Sequence, residues 1–283
     1  MKVIIINLEN RSDRLTKITE NLNNLNIEFE KFDAICGDKL KDEEIKLNTT
    51  LLCRTILSNR GMIGCAMSHI KIWNSFVDST EILIMISEDD IEYNSNFPDF
   101  LVDVDKIYKE IEFDMLSLNC SIGITGSLSD KKIIKCDNNE YKINKPIFPL
   151  TTASYIISRK GAIKLLKIIQ TINYHIDYEI ACASLKSKID YYNVLNPVLL
   201  NVEQNSDTST GSKNNGIMNF IFRSVGFNKL DWVLNNTAFA IFLDYSVTIY
   251  ILLLIVFISL CLYKKYYILM IIFIIEIIIV ILN

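Results

Sequence analysis

Short apolar runs alternate with amphipathic segments along the first part of the chain, which is the pattern of an α/β domain. Val3 to Leu8 (VIIINL) predicts a buried strand, and leucine and isoleucine at helical spacing predict a helix from Arg11 to Asn26. Ile27 to Ala34 (IEFEKFDA) alternates apolar and polar residues and predicts a second strand. Ile82 to Ile91 (ILIMISEDDI) is almost wholly apolar up to its acids, which is typical of a strand buried on both faces.

A long helix is predicted to open at Gly61 (GMIGCAMSH). The small residues from Gly64 to Ala66 would let it lie close to a sheet or a ligand, so Ser68 and His69 are expected to approach the core. A single histidine in such a place is more often a hydrogen-bonded structural residue than a catalyst. The apolar face of this helix is predicted to comprise Ile63, Met67, Ile70, Trp73 and Val77.

The second half of the pattern continues in the same way. Asp177 is placed to cap a helix that follows Tyr174, and the capping role alone could justify that aspartate. Lys131 to Ile147 alternates and is rich in lysine, which indicates a hairpin or an excursion on the acceptor side. The other predicted elements are a helix at Phe97 to Glu110, strands at Phe113 to Asn119 and Thr151 to Ser158, and a helix at Arg159 to Gln170.

Composition narrows the classes of function. The chain has 283 residues, is 50% apolar and carries a formal charge of −4, so it can bury a full-sized core and has no basic footprint for nucleic acid. Its seven cysteines form no C-x-x-C pair, which indicates buried free thiols instead of a zinc site or a disulfide framework. The apolar run at the start is too short for the core of a signal peptide.

The last forty residues or so are far more apolar than the rest. Val247 to Tyr263 and Tyr266 to Leu282 are each near the lower limit of roughly 17 to 25 residues for a bilayer span, and Lys264 and Lys265 separate them. Two spans, a re-entrant hairpin, or one span with an interfacial helix all fit this pattern. We therefore predict a globular domain over residues 1–210, a linker with an amphipathic segment over 211–240, and a membrane anchor of one or two hydrophobic helices over 241–283.

The acids that follow the run ILIMIS are the main candidates for chemistry. In an extended segment alternate side chains share a face, so Glu88 and Asp90 are predicted to point together and Asp89 away from them. Two carboxylates at the carboxyl end of a strand suit a divalent cation that also binds a diphosphate. A polar turn after a strand is the alternative interpretation.

Other polar residues could complete such a site. Arg11 and Arg14 stand in the first turn of a helix that Asn10 or Ser12 could cap, where the helix dipole favours anions, so a bound diphosphate would explain them. A solvated face with a salt bridge to Asp13 explains them equally well. Gly37 permits either a close approach of the backbone to a ligand or a simple turn.

Eight segments together resemble glycosyltransferase family 25, which contains lipopolysaccharide galactosyltransferases and collagen galactosyl- and glucosyltransferases. They occur in the order of that family between about residues 2 and 210, although Met62 and Cys36 replace residues that are usual there. The segments are VIIINLENRSDR, FDAICG, GMIGCAMSHIKIW, ISEDDI, FDMLSLN, TTASYIISRKGAIKLL, HIDYEI and the proline segment that runs through Gln204 and Ser206.

This resemblance implies roles for particular residues. Glu88 and Asp90 become ligands of Mn²⁺ or Mg²⁺, and Asp177 is the expected catalytic base with Glu179 as second choice. The residues expected to contact the donor are Asn7, Arg11 and Arg14 at the nucleotide or its phosphates, Ala34 and Gly37 at the uridine, Ser68 and His69 facing the donor, and Asp89 at the ribose or the sugar.

The implied fold is a GT-A-like, Rossmann-type α/β domain that binds a nucleotide sugar. The C-terminal transmembrane helices expected after it are predicted from the apolar runs and not from the resemblance. The implied activity is inverting transfer of a hexose from UDP-galactose or UDP-glucose to a glycan, a lipid-linked glycan or a collagen-like acceptor. A membrane-tethered binding module without activity is the alternative, and a hydrolase that shares the metal site is a third. The cysteines and the short N-terminal run favour a cytosolic catalytic domain on a membrane, although the sequon at Asn48 permits a lumenal one.

Overall fold

A computed structural model describes residues 1–51, 53–54, 58–118, 123–124, 132–146, 148–149, 151–195, 199–202, 238–242 and 245–248, together with residues 256, 259, 263 and 271. The chain divides into two compact units. One comprises Met1–Thr50 and Arg60–Gly211, and the other comprises Leu51–Asn59 and Ser212–Asn283. The first unit carries the α/β elements and the candidate site.

The elements follow the alternation of the sequence. The helices are α1 (Ser12–Asn24), α2 (Asp42–Asn48), α3 (Arg60–Val77), α4 (Phe97–Ile111), α5 (Arg159–Ile168) and α6 (Ile176–Leu185), with a 3₁₀ turn at Gly37–Lys39. The strands of the first unit are β1 (Lys2–Asn7), β2 (Glu30–Asp33), β3 (Leu83–Glu88), β4 (Ile91–Tyr93), β5 (Met115–Ser117), β6 (Gly123–Ile124), β7 (Lys132–Lys135), β8 (Glu140–Asn144), β9 (Phe148–Pro149), β10 (Ser154–Ser158), β11 (Tyr191–Val194) and β12 (Leu199–Val202).

Eight strands form one mixed sheet in the order β2, β1, β3, β10, β5, β11, β8, β7. Strand β1 is parallel to β2 and β3, and β11 is parallel to β5. Strand β10 runs antiparallel to both of its neighbours, β3 and β5. The carboxyl ends of β1, β2, β3, β5 and β11 therefore lie at the same edge of the sheet as the amino end of β10.

Helices cover both faces of the sheet. Alternate residues of β1 and β3 pack on α1 and α4, because successive side chains of a strand point to opposite faces. On the other face, His69 and Trp73 of α3 bond to the hydroxyl of Tyr155 in β10. The core on the α1 and α4 side includes Val3, Ile5, Leu83 and Met85 from the strands and Ile18, Leu22, Phe97 and Phe100 from the helices.

The predicted α/β fold is confirmed, and most predicted elements lie where the periodicity indicated. The strand before the acids, the long helix from Gly61, the hairpin after Lys131 and the helix from Arg159 are all present. The strand predicted at Ile27 to Ala34 is shorter, Glu30–Asp33, since Ile27 and Phe29 pack against the core before the strand begins.

Four local predictions are wrong, two of them at the candidate site. Helix α1 begins after Arg11 instead of being capped by Asn10 or Ser12. In α3, Met67, Ile70 and Val77 are only partly buried, whereas Ile72 and Phe76 are buried with Ser68 and His69. Polar residues occupy core-facing positions of this helix, so the hydrophobic pattern alone misplaced its inner face. The other two errors, the cap of α6 and the direction of Asp89, concern the candidate site.

Most of the predicted anchor and of the linker lies outside the described residues. Val247 and Thr248, at the start of the first apolar run, belong to strand β14 (Tyr245–Thr248), which pairs antiparallel with β13 (Ala238–Phe242). Among the residues that the structure describes, no helix is long and apolar enough to cross a membrane.

Candidate active site

Side chains that are distant in sequence meet where the strands end. Asn7 ends β1, Glu88 ends β3, and Thr152 lies just before β10, whose reversed direction brings its amino end to this edge. Asn7 and Thr152 are buried. In α/β folds this edge of the sheet is the usual place for a ligand.

Arg14 of α1 is buried beside the turn that follows β3. Its Nη1 lies 3.2 Å from Oδ1 of Asp89 and 3.1 Å from Oδ2 of Asp90. Asn7 donates from Nδ2 to Oδ2 of Asp89 at 2.6 Å and to the carbonyl oxygen of Arg11 at 2.9 Å. One guanidinium and one amide therefore fix the position of both aspartates relative to α1.

The predicted alternation of the three acids stops at Glu88, because β3 ends there and Asp89 and Asp90 lie in a turn. Both aspartates face Arg14, so the prediction that Asp89 points away from Asp90 is wrong. Glu88 turns toward Thr152 instead. Burial, and then the charges of Asp90 and Asp177, raise the pKa of Glu88 to about 8.

The hydroxyl of Thr152 links two carboxyl groups. Its Oγ1 lies 2.9 Å from Oε1 of Glu88 and 3.0 Å from Oδ1 of Asp177. A threonine hydroxyl has one proton to donate, so one of these contacts needs a proton from the carboxyl group. The hydroxyl of Thr152 therefore joins the two carboxyl groups and can donate to only one of them at a time.

Asp177 is held as an ion by its neighbours. Burial opposes its charge, yet His175 and the hydrogen bond from Thr152 lower its pKa below the ordinary value. Nδ1 of His175 lies 3.4 Å from Oδ1 of Asp177. Burial likewise opposes a charge on His175, but the carboxylate of Asp177 outweighs it and raises the pKa of the imidazole.

The cap of α6 is His175, not Asp177. The helix begins at Ile176, and Nδ1 of His175 accepts from the backbone N–H of Asp177 at 3.4 Å. Asp177 is thus the second residue of the helix, and its carboxylate is directed to Thr152. The predicted capping role is wrong because the chain enters the helix two residues earlier.

Glu179, the second candidate for a base, has a structural role. It is buried, and its Oε1 accepts from the backbone N–H of Asn173 at 2.7 Å and of Tyr174 at 3.3 Å. Two amides on one carboxylate oxygen hold the loop before α6. This position orients the segment that carries His175 and Asp177.

Arg11 differs from Arg14. It forms a bidentate pair with Asp13, with Nε 3.1 Å from Oδ1 and Nη2 3.0 Å from Oδ2. The hydrogen bond from Arg11 lowers the pKa of Asp13 to about 2. The predicted salt bridge to Asp13 is therefore present at Arg11. Arg14 instead contacts the carboxylates of Asp89 and Asp90.

Ser68 ties the loop after β2 to α3. Its Oγ accepts from the backbone N–H of Ile35 at 2.8 Å and donates to the carbonyl oxygen of Gly64 at 2.8 Å. A Cβ on Gly64 would lie 2.8 Å from the backbone nitrogen of Gly37. A Cβ on Gly37 would likewise clash with the backbone carbonyl of Arg60, so close contact between this loop and α3 requires both glycines. Ala34, at the start of the loop, donates to the carbonyl of Asn7 at 2.9 Å.

His69 lies beneath Glu88 and is 1% exposed. Its Nδ1 lies 2.8 Å from the hydroxyl of Tyr155, which also accepts from Nε1 of Trp73 at 3.0 Å. Its Nε2 faces Oε1 of Glu88 at 4.0 Å. Burial lowers the pKa of His69 to about 4, so the imidazole is neutral at neutral pH.

The donor set at this edge fits a hard divalent cation. Glu88 and Asp90 offer carboxylate oxygens, the ligands that Mg²⁺ and Mn²⁺ prefer. Burial is the main cause of the raised pKa of Glu88, and the charges of Asp90 and Asp177 add to it; a bound cation would relieve that repulsion. Sequence reasoning missed Thr152 and His175, since their proximity depends on the reversed direction of β10 and on the helix entering at Ile176.

The chain belongs to glycosyltransferase family 25. The model of this family, described as glycosyltransferase family 25 (LPS biosynthesis protein), matches residues 1–180. That match includes every residue discussed above at the sheet edge, from Asn7 to Glu179, and it confirms the resemblance drawn from the eight segments.

Individual proteins with glycosyltransferase names resemble parts of this chain at 28 to 33% sequence identity. A candidate glycosyltransferase of Haemophilus influenzae is 33% identical over 173 residues, which are 59% of this chain and 57% of that protein. Procollagen galactosyltransferase 2 of Homo sapiens is 28% identical over 174 residues, 58% of this chain and 27% of the human protein. Inactive glycosyltransferase 25 family member 3 of Homo sapiens is 29% identical over 125 residues, 41% of this chain and 20% of that protein. The matched part thus spans just over half of the bacterial protein and about a quarter of procollagen galactosyltransferase 2.

Proposed function

We propose that the chain is a metal-dependent, inverting hexosyltransferase of the GT-A type, which moves galactose or glucose from a UDP-sugar to a hydroxyl of a glycan or protein. The supporting observation is the group of carboxyls Glu88, Asp89, Asp90 and Asp177, which contact Thr152 or Arg14 at one edge of the sheet of a family 25 glycosyltransferase. Transfer from a nucleotide sugar needs charge stabilisation at the departing diphosphate and a base at the incoming hydroxyl.

Glu88 and Asp90 would hold Mn²⁺ or Mg²⁺. When bound, this cation supplies positive charge to the diphosphate of the donor. Arg14 fixes Asp90 from behind, and Asn7 orients Asp89 toward the ribose or the sugar. Arg11, whose side chain is 20% exposed against 8% for Arg14, is the arginine better placed for a phosphate.

Asp177 is the proposed base for the acceptor hydroxyl. The lowered pKa keeps its carboxylate ionised, and Thr152 occupies only one of its oxygens by the contacts described. Glu179 is the weaker choice because one of its oxygens already accepts from two backbone amides. The loop after β2, with Ala34 and Gly37, would form the uridine pocket, and Ser68 supports it from behind.

The proposal extends to the setting of the reaction. The apolar runs after Val247 would anchor the catalytic unit to a membrane with that unit in the cytosol. A lipid-linked glycan fits such an anchor, and a collagen-like protein fits the human relative by its name.

The test follows UDP release by the full chain with a panel of UDP-sugars, in Mn²⁺ or EDTA, with and without glycan or collagen-peptide acceptors. We expect donor-selective, metal-dependent release that an acceptor accelerates. Asp90→Asn should lose activity together with its metal dependence, and Asp177→Asn should lose transfer while it still binds donor. Asp99→Asn, on the exposed side of α4, is the matched control.

Two results would contradict the proposal. Wild-type turnover in Asp90→Asn would remove the metal role, and retained transfer in Asp177→Asn would remove the base. A folded wild-type protein that binds no UDP-sugar would favour the inactive binding module, a state that one relative carries in its name.

A further inference from the structure

Three side chains of different chemistry converge below the carboxylates, on the inner side of α3. Cys65 and His69 are four residues apart on this helix, so they share a face, and Glu88 ends the strand opposite. A ligand atom from each of the three lies within 4.8 Å of the other two. Nε2 of His69 has no hydrogen-bond partner among the described residues, although the ring is almost fully buried.

We propose that Cys65, His69 and Glu88 form a second cation site, selective for thiophilic divalent ions such as Zn²⁺ and Co²⁺. A thiolate, an imidazole and a carboxylate are the ligands that these ions take, whereas Mg²⁺ and Mn²⁺ prefer oxygen alone. Three protein ligands leave the fourth tetrahedral position to water. The site shares only Glu88 with the pair that would hold the hard cation.

The geometry is close to what such an ion needs. Ligand atoms about 2.0 to 2.3 Å from a tetrahedral zinc ion lie roughly 3.3 to 3.8 Å from one another. Nε2 of His69 and Oε1 of Glu88 are 4.0 Å apart, and the widest separation in the group is at most 4.8 Å. Side-chain movements of about 1 Å therefore close the site.

The surroundings of His69 support ligation through Nε2. A histidine ligand usually donates its other ring N–H to a fixed acceptor, which sets the tautomer. Here Nδ1 lies 2.8 Å from the hydroxyl of Tyr155, which Trp73 holds from the other side at 3.0 Å. A proton on Nδ1 directed at this oxygen leaves the lone pair of Nε2 for the ion.

An ion bound at this second site engages Glu88, which is then no longer available to bind the hard cation together with Asp90. Thiophilic ions would therefore inhibit the transferase in competition with Mn²⁺, a consequence that rests on the proposed function. Binding of the ion itself does not rest on it, so binding is measured in the absence of any sugar donor.

The experiment titrates the reduced, metal-free full chain with Co²⁺ and follows absorption. We expect a thiolate-to-cobalt charge-transfer band in the near ultraviolet that saturates at one ion per chain and disappears when Zn²⁺ displaces it. Cys65→Ser should abolish the band, and His69→Gln should weaken binding at least tenfold. Cys136→Ser, a buried thiol in the core beside α4, is the matched control and should keep the band.

A band of equal intensity in Cys65→Ser would overturn the proposal, and so would a folded wild-type chain that retains no Co²⁺ in equilibrium dialysis. Circular dichroism of each variant shows whether it is folded. A chain that binds Co²⁺ through Cys65 but transfers no sugar contradicts the proposed function and leaves this site intact. A chain that transfers sugar in a metal-dependent reaction but shows no charge-transfer band contradicts this second site and leaves the proposed function intact.

Discussion

Nη1 of Arg14 lies 3.1 Å from Oδ2 of Asp90, in a pair whose side chains are only 8% and 12% exposed. The same nitrogen serves Asp89. Removal of one partner from a buried ion pair leaves an uncompensated charge, which costs far more than loss of a surface pair. Arg14 therefore holds Asp89 and Asp90 in place, and removal of its charge should lower the stability of the fold strongly.

Arg14→Met, which keeps an unbranched side chain but removes the guanidinium group and its charge, should lower the free energy of unfolding by about 3 to 5 kcal/mol. Urea unfolding without divalent ions measures this loss. Arg11→Met is the control, because its partner Asp13 is exposed, and we expect almost no change. Equal losses in the two variants would contradict the supporting role of Arg14.

Thr152→Val tests the link between two carboxyls. The substitution preserves shape but leaves Glu88 and Asp177 without the hydroxyl that joins them. A buried polar group deprived of its partner costs about 1 to 3 kcal/mol, so the unfolding midpoint should fall. Thr152→Ser, which keeps the hydroxyl, should recover most of the loss. A serine variant no more stable than the valine variant would exclude the hydrogen bonds as the cause.

Ser68→Ala should weaken binding of the UDP-sugar donor more than it slows the transfer step. It leaves the backbone N–H of Ile35 without its acceptor at a cost of about 1 to 3 kcal/mol, and it frees the loop proposed to hold uridine. We expect KM for the UDP-sugar to rise several-fold while kcat changes little.

Ser75→Ala is a suitable control for Ser68→Ala. Ser75 is exposed on the same helix, and its hydroxyl makes a comparable bond to the carbonyl of Lys71 at 3.2 Å. If both variants raised KM equally, or if Ser68→Ala lowered kcat alone, the assigned role of the loop would be wrong.

Local patterns in the sequence predicted the sheet edge well. The run ILIMIS fixes β3, and its acids had to emerge where that strand leaves the sheet. Helical spacing similarly located α1 and α3. Such predictions succeed because they depend on side-chain periodicity within one element.

Contacts between different helices and strands could not be predicted from those local patterns. Thr152 meets Asp177 only because β10 is antiparallel to β3, and strand direction leaves no mark on the apolar run itself. Ser68 and His69 are buried because specific partners satisfy them. The type of a residue indicates whether it tends to lie at the surface or in the core, but it does not identify the group to which a buried polar side chain such as Ser68 or His69 bonds.

The pairing of His175 with Asp177 predicts a dependence of stability on pH. The folded pKa of His175 is raised, so its contribution is fully present below about 6.5, the ordinary pKa of histidine, and is lost as pH rises through the folded value. The folded pKa of Asp177 is lowered, so its contribution is present above 3.8 and is lost as pH falls through the folded value. Both charges coexist between those limits.

A double-mutant cycle isolates this pair from the other titrating groups. Unfolding of wild type, His175→Gln, Asp177→Asn and the double variant in EDTA gives the coupling energy between the two side chains. We expect stabilising coupling at pH 6 that declines by pH 9, because the imidazole is then neutral and Nδ1 serves only as the acceptor that caps α6. Coupling that is the same at both pH values would contradict the ion pair, because the cap bond goes to the backbone N–H of residue 177, which Asp177→Asn retains.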